Sequence, residues 1–234
     1  MKSLLKTSAI AALVLSAGAQ AAPITINSIA ADWFPTQLTD GSPATYVNTD
    51  GIAGNEEIRW GTPITSGKSG YRFDSSAVPS SVEIDENFSL GTFSHFNFPV
   101  YEPSLDHAQL NVSLNFTLGN GATLDKTFNF LFNHNETPNS NNNECCNDLI
   151  TISSVSSSDV FTIDGTIYTL ALNGFLQGGS IVNTFSTVEN QINTASLIGV
   201  LTEYRETDVP EPAPLLLLGL GLIGLVGARR YKAK

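Results

Sequence analysis

The chain has 234 residues, 22 of them acidic and 11 basic, for a formal charge of −11 at pH 7. This balance excludes an ordinary nucleic-acid binder, because phosphate contacts need clustered Lys and Arg and the field here repels a polyanion. It suits solubility outside a cell, cation binding, or repulsion from anionic surfaces.

Residues 1–21 have the build of a cleavable secretory signal peptide. Lys2 and Lys6 give a positive start, Ala9 to Ala17 is apolar apart from Ser16, and Ala19-Gln20-Ala21 supplies small residues for cleavage. Export is expected to leave a mature chain beginning at Ala22. Residues 22–208 then form one domain of ordinary size with a substantial core. Its five basic residues, Arg59, Lys68, Arg72, Lys126 and Arg205, stand against 21 acids, so the exported body has a net charge of −16.

Periodicity makes this body all-β. Strands are expected at Ile24 to Ile29, Glu56 to Trp60, Val82 to Ile84 and Phe88 to Phe98. From Leu110 to Leu118 every even position is apolar and every odd one polar, the pattern of a strand with one buried and one wet face. Lys126 to Phe132 repeats it, and Gly119-Asn120-Gly121 supplies the turn between antiparallel neighbours. Further strands are expected at Leu149 to Ser153, Ile181 to Phe185 and Ser196 to Tyr204. Val160 to Ile163 and Thr166 to Leu172 flank Asp164-Gly165 as a hairpin, since that pair tolerates the positive φ of a two-residue turn. Glu189 to Thr194 is compatible with a short helical turn. The sum is an antiparallel β-sandwich of jelly-roll or immunoglobulin-like build.

Four places invite a chemical reading. Arg59 and Trp60, with Tyr71 and Arg72, offer a ligand-binding platform, in which aromatic faces stack on sugar rings and arginines bond hydroxyls. Equally, the arginines pair with Glu56, Glu57 or Asp74 as structural ions. Around Ser94, His95 and Asn97, strand alternation turns Phe93, His95 and Asn97 one way and Ser94 the other, so Ser94 and His95 cannot serve as nucleophile and base to each other. A buried histidine hydrogen-bonded to a neighbouring strand or loop is the simpler reading.

The stretch His134 to Asp148 holds His134, Glu136, Glu144, Asp148 and many asparagines, which are hard ligands suited to calcium, though without an EF-hand spacing. A polar surface loop rich in Asx turns explains the same residues. Cys145 and Cys146 are the only cysteines. Adjacent Cα atoms stand about 3.8 Å apart, short of the roughly 4.4–6.8 Å of ordinary disulfides, so a vicinal bridge is strained. It is favoured over free thiols in an oxidising compartment, and a link to another molecule or a soft metal site with His134 stays open. No dedicated metal motif is present and no cofactor is expected.

Val209-Pro210-Glu211-Pro212 precedes an uncharged segment from Ala213 to Ala228, and then Arg229, Arg230, Lys232 and Lys234. As a helix those 16 positions span about 24 Å, a marginal transmembrane length against a core of about 30 Å. The basic end belongs on the cytoplasmic side, which leaves the body outside. The prolines hold the approach to the membrane extended and accessible to a processing enzyme.

This tail resembles the PEP-CTERM sorting signals. The resemblance implies an exosortase-type membrane protease as partner, a transient inner-membrane anchor at residues 209–234, and release to the outer surface or medium in Gram-negative bacteria that make exopolysaccharide. Within the body, Glu57 to Pro63, Ser69 to Asp74, Leu90 to Pro99, His134 to Asn139 and Glu189-Asn190-Gln191 resemble the THxN family of PEP-CTERM proteins, with Ser94 where that family has threonine. The resemblance fixes a class and leaves the activity open. The expected function is therefore a non-catalytic surface or matrix protein that binds exopolysaccharide. The alternative is a secreted polysaccharide hydrolase, for which the acids lack a recognisable arrangement. Ice binding needs a flat array of Thr or similar groups, and no such ladder is visible in the sequence.

Overall fold

The computed structural model describes residues 24–48, 54–64, 67–137, 147–153, 160–163 and 165–204. Among them every regular element is a strand, and every strand pair is antiparallel. A six-stranded sheet runs in the order β15 (Thr184–Thr187), β11 (Asp148–Ile152), β10 (Thr123–Asn135), β9 (Leu105–Thr117), β1 (Ile24–Leu38) and β6 (Ser80–Val82). A second sheet runs β12 (Val160–Ile163), β13 (Thr166–Gln177), β16 (Gln191–Glu203), β7 (Asn87–Asn97), β5 (Ser69–Ser75), β3 (Glu57–Trp60) and β2 (Thr45–Val47), with β14 (Ser180–Val182) added on β13. Two short strands, β4 (Thr62–Pro63) and β8 (Val100–Tyr101), pair by themselves.

The apolar faces of both large sheets supply one core. On β9 the even residues Leu110, Val112, Leu114 and Phe116 are buried, and on β10 Phe128, Phe130 and Phe132 join them. The middle of the core is aromatic: Phe93 of β7 stacks on Phe132 at 5.5 Å and meets Trp33, Tyr71, Phe175 and Phe185 at its edges. Trp33 keeps its indole N–H satisfied by donating to the Glu56 carbonyl at 3.0 Å.

Both expected hairpins are present. β9 and β10 pair from Thr117–Thr123 upward, and Gly121 takes φ +83° in the turn, a conformation that costs glycine little. Ile163 pairs with Thr166, which leaves two residues for the second turn. Corrections concern other segments. Glu189 to Thr194 is not helical: Asn190 sits at φ +61° in a turn and β16 begins at Gln191, paired to Asn97. The side chain of Asn193 closes that turn, accepting from the Val188 N–H at 2.9 Å and donating to the Val188 carbonyl. β5 is a strand beyond those expected, and β1 runs on to Leu38 past register shifts at Ile26/Ser28, Trp33/Thr36 and Gln37/Leu38.

The outer face of the six-stranded sheet carries amides and hydroxyls that bond across strands. Asn27 donates to Asn115 at 2.7 Å, Asn115 donates to Asp125 at 2.7 Å, and Ser113 meets Thr127 at 2.8 Å. Farther along, Gln109 donates to Asn111 at 2.7 Å, and Asn111 donates to the carbonyl of Phe34, a residue that is 55% exposed. Such a ladder is a product of register, so it has no counterpart along any single stretch of sequence.

Candidate functional site

Strand alternation sends Phe93, His95 and Asn97 of β7 into the core. Tyr71 on β5 lies directly beside His95, in register with it, and Trp60 comes from β3. From the opposite sheet, β10 presents His134, while β11 and β15 present the paired residues Asp148 and Thr187. The result is a polar centre between the sheets. The rings of His95 and His134 stand 5.2 Å apart and nearly perpendicular, with Trp60 and Tyr71 packed on both.

Hydrogen bonds fix the chemistry of each imidazole. The Thr187 hydroxyl lies 2.9 Å from Nδ1 of His95 and 3.3 Å from the Asp148 carbonyl. Asn97 donates to the Thr187 carbonyl at 3.2 Å. This network engages Nδ1 of His95 and leaves its Nε2 without a hydrogen-bond partner. His134 meets the Tyr71 hydroxyl through Nδ1 at 2.6 Å, and through Nε2 faces Glu136 at 3.1 Å and Asp148 at 4.0 Å. The other Asp148 oxygen accepts from the N–H and hydroxyl of Thr137 at 2.8 and 3.0 Å.

Several buried polar atoms at this centre have no hydrogen-bond partner: His95 Nε2, Asn97 Oδ1, Trp60 Nε1, Asp148 Oδ2 and both carboxylate oxygens of Glu189. Buried polar groups are normally paired, so so many in one place is a property of the site. Burial sets the electrostatics. It holds His95 well below the usual histidine range, helped by His134, and brings His134 down to about 4 against the pull of Asp148. Burial and then Glu136 push Asp148 up to about 6, while burial followed by Asp148 and Glu136 pushes Glu189 up to about 7. Both imidazoles are thus neutral at physiological pH.

Two groupings have metal-ligating atoms within 4.8 Å of one another: His95, His134 and Asp148, and Glu136, Asp148 and Glu189. They share Asp148. The arginines of the neighbouring strands point elsewhere. Arg59 pairs with Glu57 at 2.7 Å and lies 3.5 Å over the ring of Phe96, and Arg72 pairs with Asp74 at 2.9 Å.

The residues singled out in the sequence separate accordingly. Ser94 is buried on the face opposite His95, beside Arg72 in register, so no serine–histidine pair forms there. Trp60 and Tyr71 are at most 1% exposed, which corrects the expected binding platform: their faces stack on core rings and offer none to a sugar. His134 and Asp148 are likewise inward strand residues and not ligands of a surface loop, because both alternate with outward neighbours in paired strands. Cys145, Cys146, the signal segment and the sorting residues Val209, Pro210, Glu211, Pro212, Arg229 and Arg230 lie outside the described residues.

Sequence reasoning did not bring Tyr71, Thr187 or Glu189 to this centre. The five body segments noted above nevertheless meet here, contributing Trp60, Tyr71, His95 with Asn97, His134 with Glu136, and Glu189. One signal was available: His134 and Glu136 are two residues apart and so share a strand face.

Residues 208–230 match the family model of the PEP-CTERM protein-sorting motif. The chain is therefore a PEP-CTERM protein, addressed to export, transient membrane anchoring and processing by an exosortase. No curated protein matches it.

Proposed function

We propose that this is a THxN-type, non-catalytic protein of the cell surface or extracellular matrix, whose β-sandwich body is left outside by an exosortase and binds exopolysaccharide. One observation carries the binding reading: the cross-strand ladder of amides and hydroxyls on the six-stranded sheet, joined through the Phe34 carbonyl to a residue that is itself 55% exposed. Planar amides bond sugar hydroxyls and an exposed ring stacks on a pyranose face, so the combination suits a glycan chain laid along the sheet. The acidic body favours neutral glycans, since a polyanion is repelled. The non-catalytic reading is supported by the enclosure of both imidazoles, whose hydroxyl partners are the buried Thr187 and Tyr71.

The test is a panel of purified polysaccharides in a pull-down with the full chain in detergent, run beside a released-sugar assay. Retention without product, weakened several-fold by Phe34→Ala or Asn111→Leu, supports the proposal. Released sugar favours the hydrolase alternative.

A further inference from the structure

We infer that the polar centre is a structural site for one first-row divalent cation of the zinc type, held by His95, His134 and Asp148 with Glu136 or Glu189 supplying the fourth ligand. This goes beyond the sorting motif and is independent of glycan binding.

The donor set comes first. Nδ1 of His95 is occupied by Thr187 and Nδ1 of His134 by Tyr71, so each imidazole turns its Nε2 inward. Metal-bound histidines show this arrangement, with the second nitrogen held by an oxygen partner that fixes ring orientation. Asp148 repeats it: one carboxylate oxygen is held by Thr137, and the other is buried without a partner on the side of His134.

The unpartnered atoms are independent of the clustering. His95 is fully buried and its Nε2 has no partner, and Asp148 is equally buried with Oδ2 unpartnered. An apolar core has no reason to keep either atom bare, whereas a cation uses both. Moreover, Glu136, Asp148 and Glu189 bring three carboxylates within 4.8 Å, an arrangement of like charges that a divalent ion relieves.

Geometry and ligand type then select the ion. Zinc bonds to nitrogen and oxygen are about 2.0–2.2 Å, which places tetrahedral ligands roughly 3.3–3.6 Å apart, so side-chain rotations on the order of 1 Å close the site. Two imidazole nitrogens favour zinc and its first-row neighbours over calcium or magnesium, which take oxygen. The position implies the role. His95 belongs to one sheet, His134 and Asp148 to the other, and Glu189 to the turn joining β15 to β16, so the ion clips the two sheets together.

The experiment uses the full chain in detergent, with an affinity tag free of histidine. The protein is stripped with EDTA, reloaded with zinc, dialysed and assayed for metal, and its thermal melting is followed in parallel. About one zinc per chain is expected, with a rise in melting temperature on loading. His95→Gln and Asp148→Asn should reduce retained zinc at least tenfold, whereas the Cys145→Ser/Cys146→Ser double variant should retain it. Cobalt loading provides a readout on the unaltered chain, since d–d absorption reports nitrogen and oxygen ligation without sulfur. Failure of the unaltered chain to retain zinc or to melt higher with it would overturn the inference. So would zinc that follows the cysteine pair, or a sulfur-to-cobalt charge-transfer band.

Discussion

The hydroxyl of Tyr71 lies 2.6 Å from Nδ1 of His134, a hydrogen bond that crosses the core from β5 of one sheet to β10 of the other. Both residues are buried, and water cannot replace either partner. Tyr71→Phe keeps the ring contacts with Trp33, Trp60 and Phe93 and removes only the hydroxyl. The bare imidazole nitrogen should then cost about 1–3 kcal/mol of stability, read as a lower urea midpoint with an unchanged slope.

Gly70 lies between Arg59 on β3 and Phe96 on β7, in register with both. A Cβ there would stand 2.5 Å from Arg59 Cδ and 2.5 Å from the Ile58 carbonyl oxygen. Glycine is what lets the arginine cross β5 and lie over the Phe96 ring. Gly70→Ala should destabilise the protein by about 1–3 kcal/mol. Arg59→Ala in the same chain should recover only part of that loss, because the backbone clash persists, and a double-mutant cycle by chemical denaturation measures the split.

Much of the fold is legible in the sequence where one strand face is dry and the other wet. β9 and β10 meet that condition, and their alternation reads directly. β5 meets it only in part: it lies between β3 and β7 with Ser69, Gly70 and Tyr71 all buried, and its alternation is confined to Tyr71 through Asp74, too short to mark a strand. β1 loses its period at three register shifts, and only its first residues read as a strand. At the polar centre, the inward direction of His95 follows from its neighbours, but its partner Thr187 lies 92 residues away and His134 comes from the other sheet. Local pattern carries no information about such pairings, and so an aromatic beside an arginine reads as a surface platform when Trp60 and Tyr71 are core.

Glu102 governs part of the acid response. Its carboxylate accepts from the Ser104 N–H at 2.6 Å and from the Thr39 hydroxyl at 2.8 Å, and these bonds hold its pKa below the ordinary glutamate value. A depressed folded-state pKa contributes stability above the unfolded value and loses it as pH falls through the folded one. Stability should therefore decline below about pH 4.5, the usual glutamate value. Glu102→Gln should flatten this part of the profile while leaving its neutral side in place, as measured by melting temperature against pH.

The central claim is that the PEP-CTERM tail, matched at residues 208–230, brings an acidic sheet-built body out of the cell and is then removed. Intact-mass spectrometry of the protein recovered from the producing cells tests it most directly, with a Pro210→Ala/Glu211→Ala/Pro212→Ala variant alongside. The account predicts a secreted species that begins at Ala22 and lacks the basic end, and a variant that stays in the membrane with its tail attached. A full-length chain in the cytosol, or a variant trimmed and released like its parent, would contradict it.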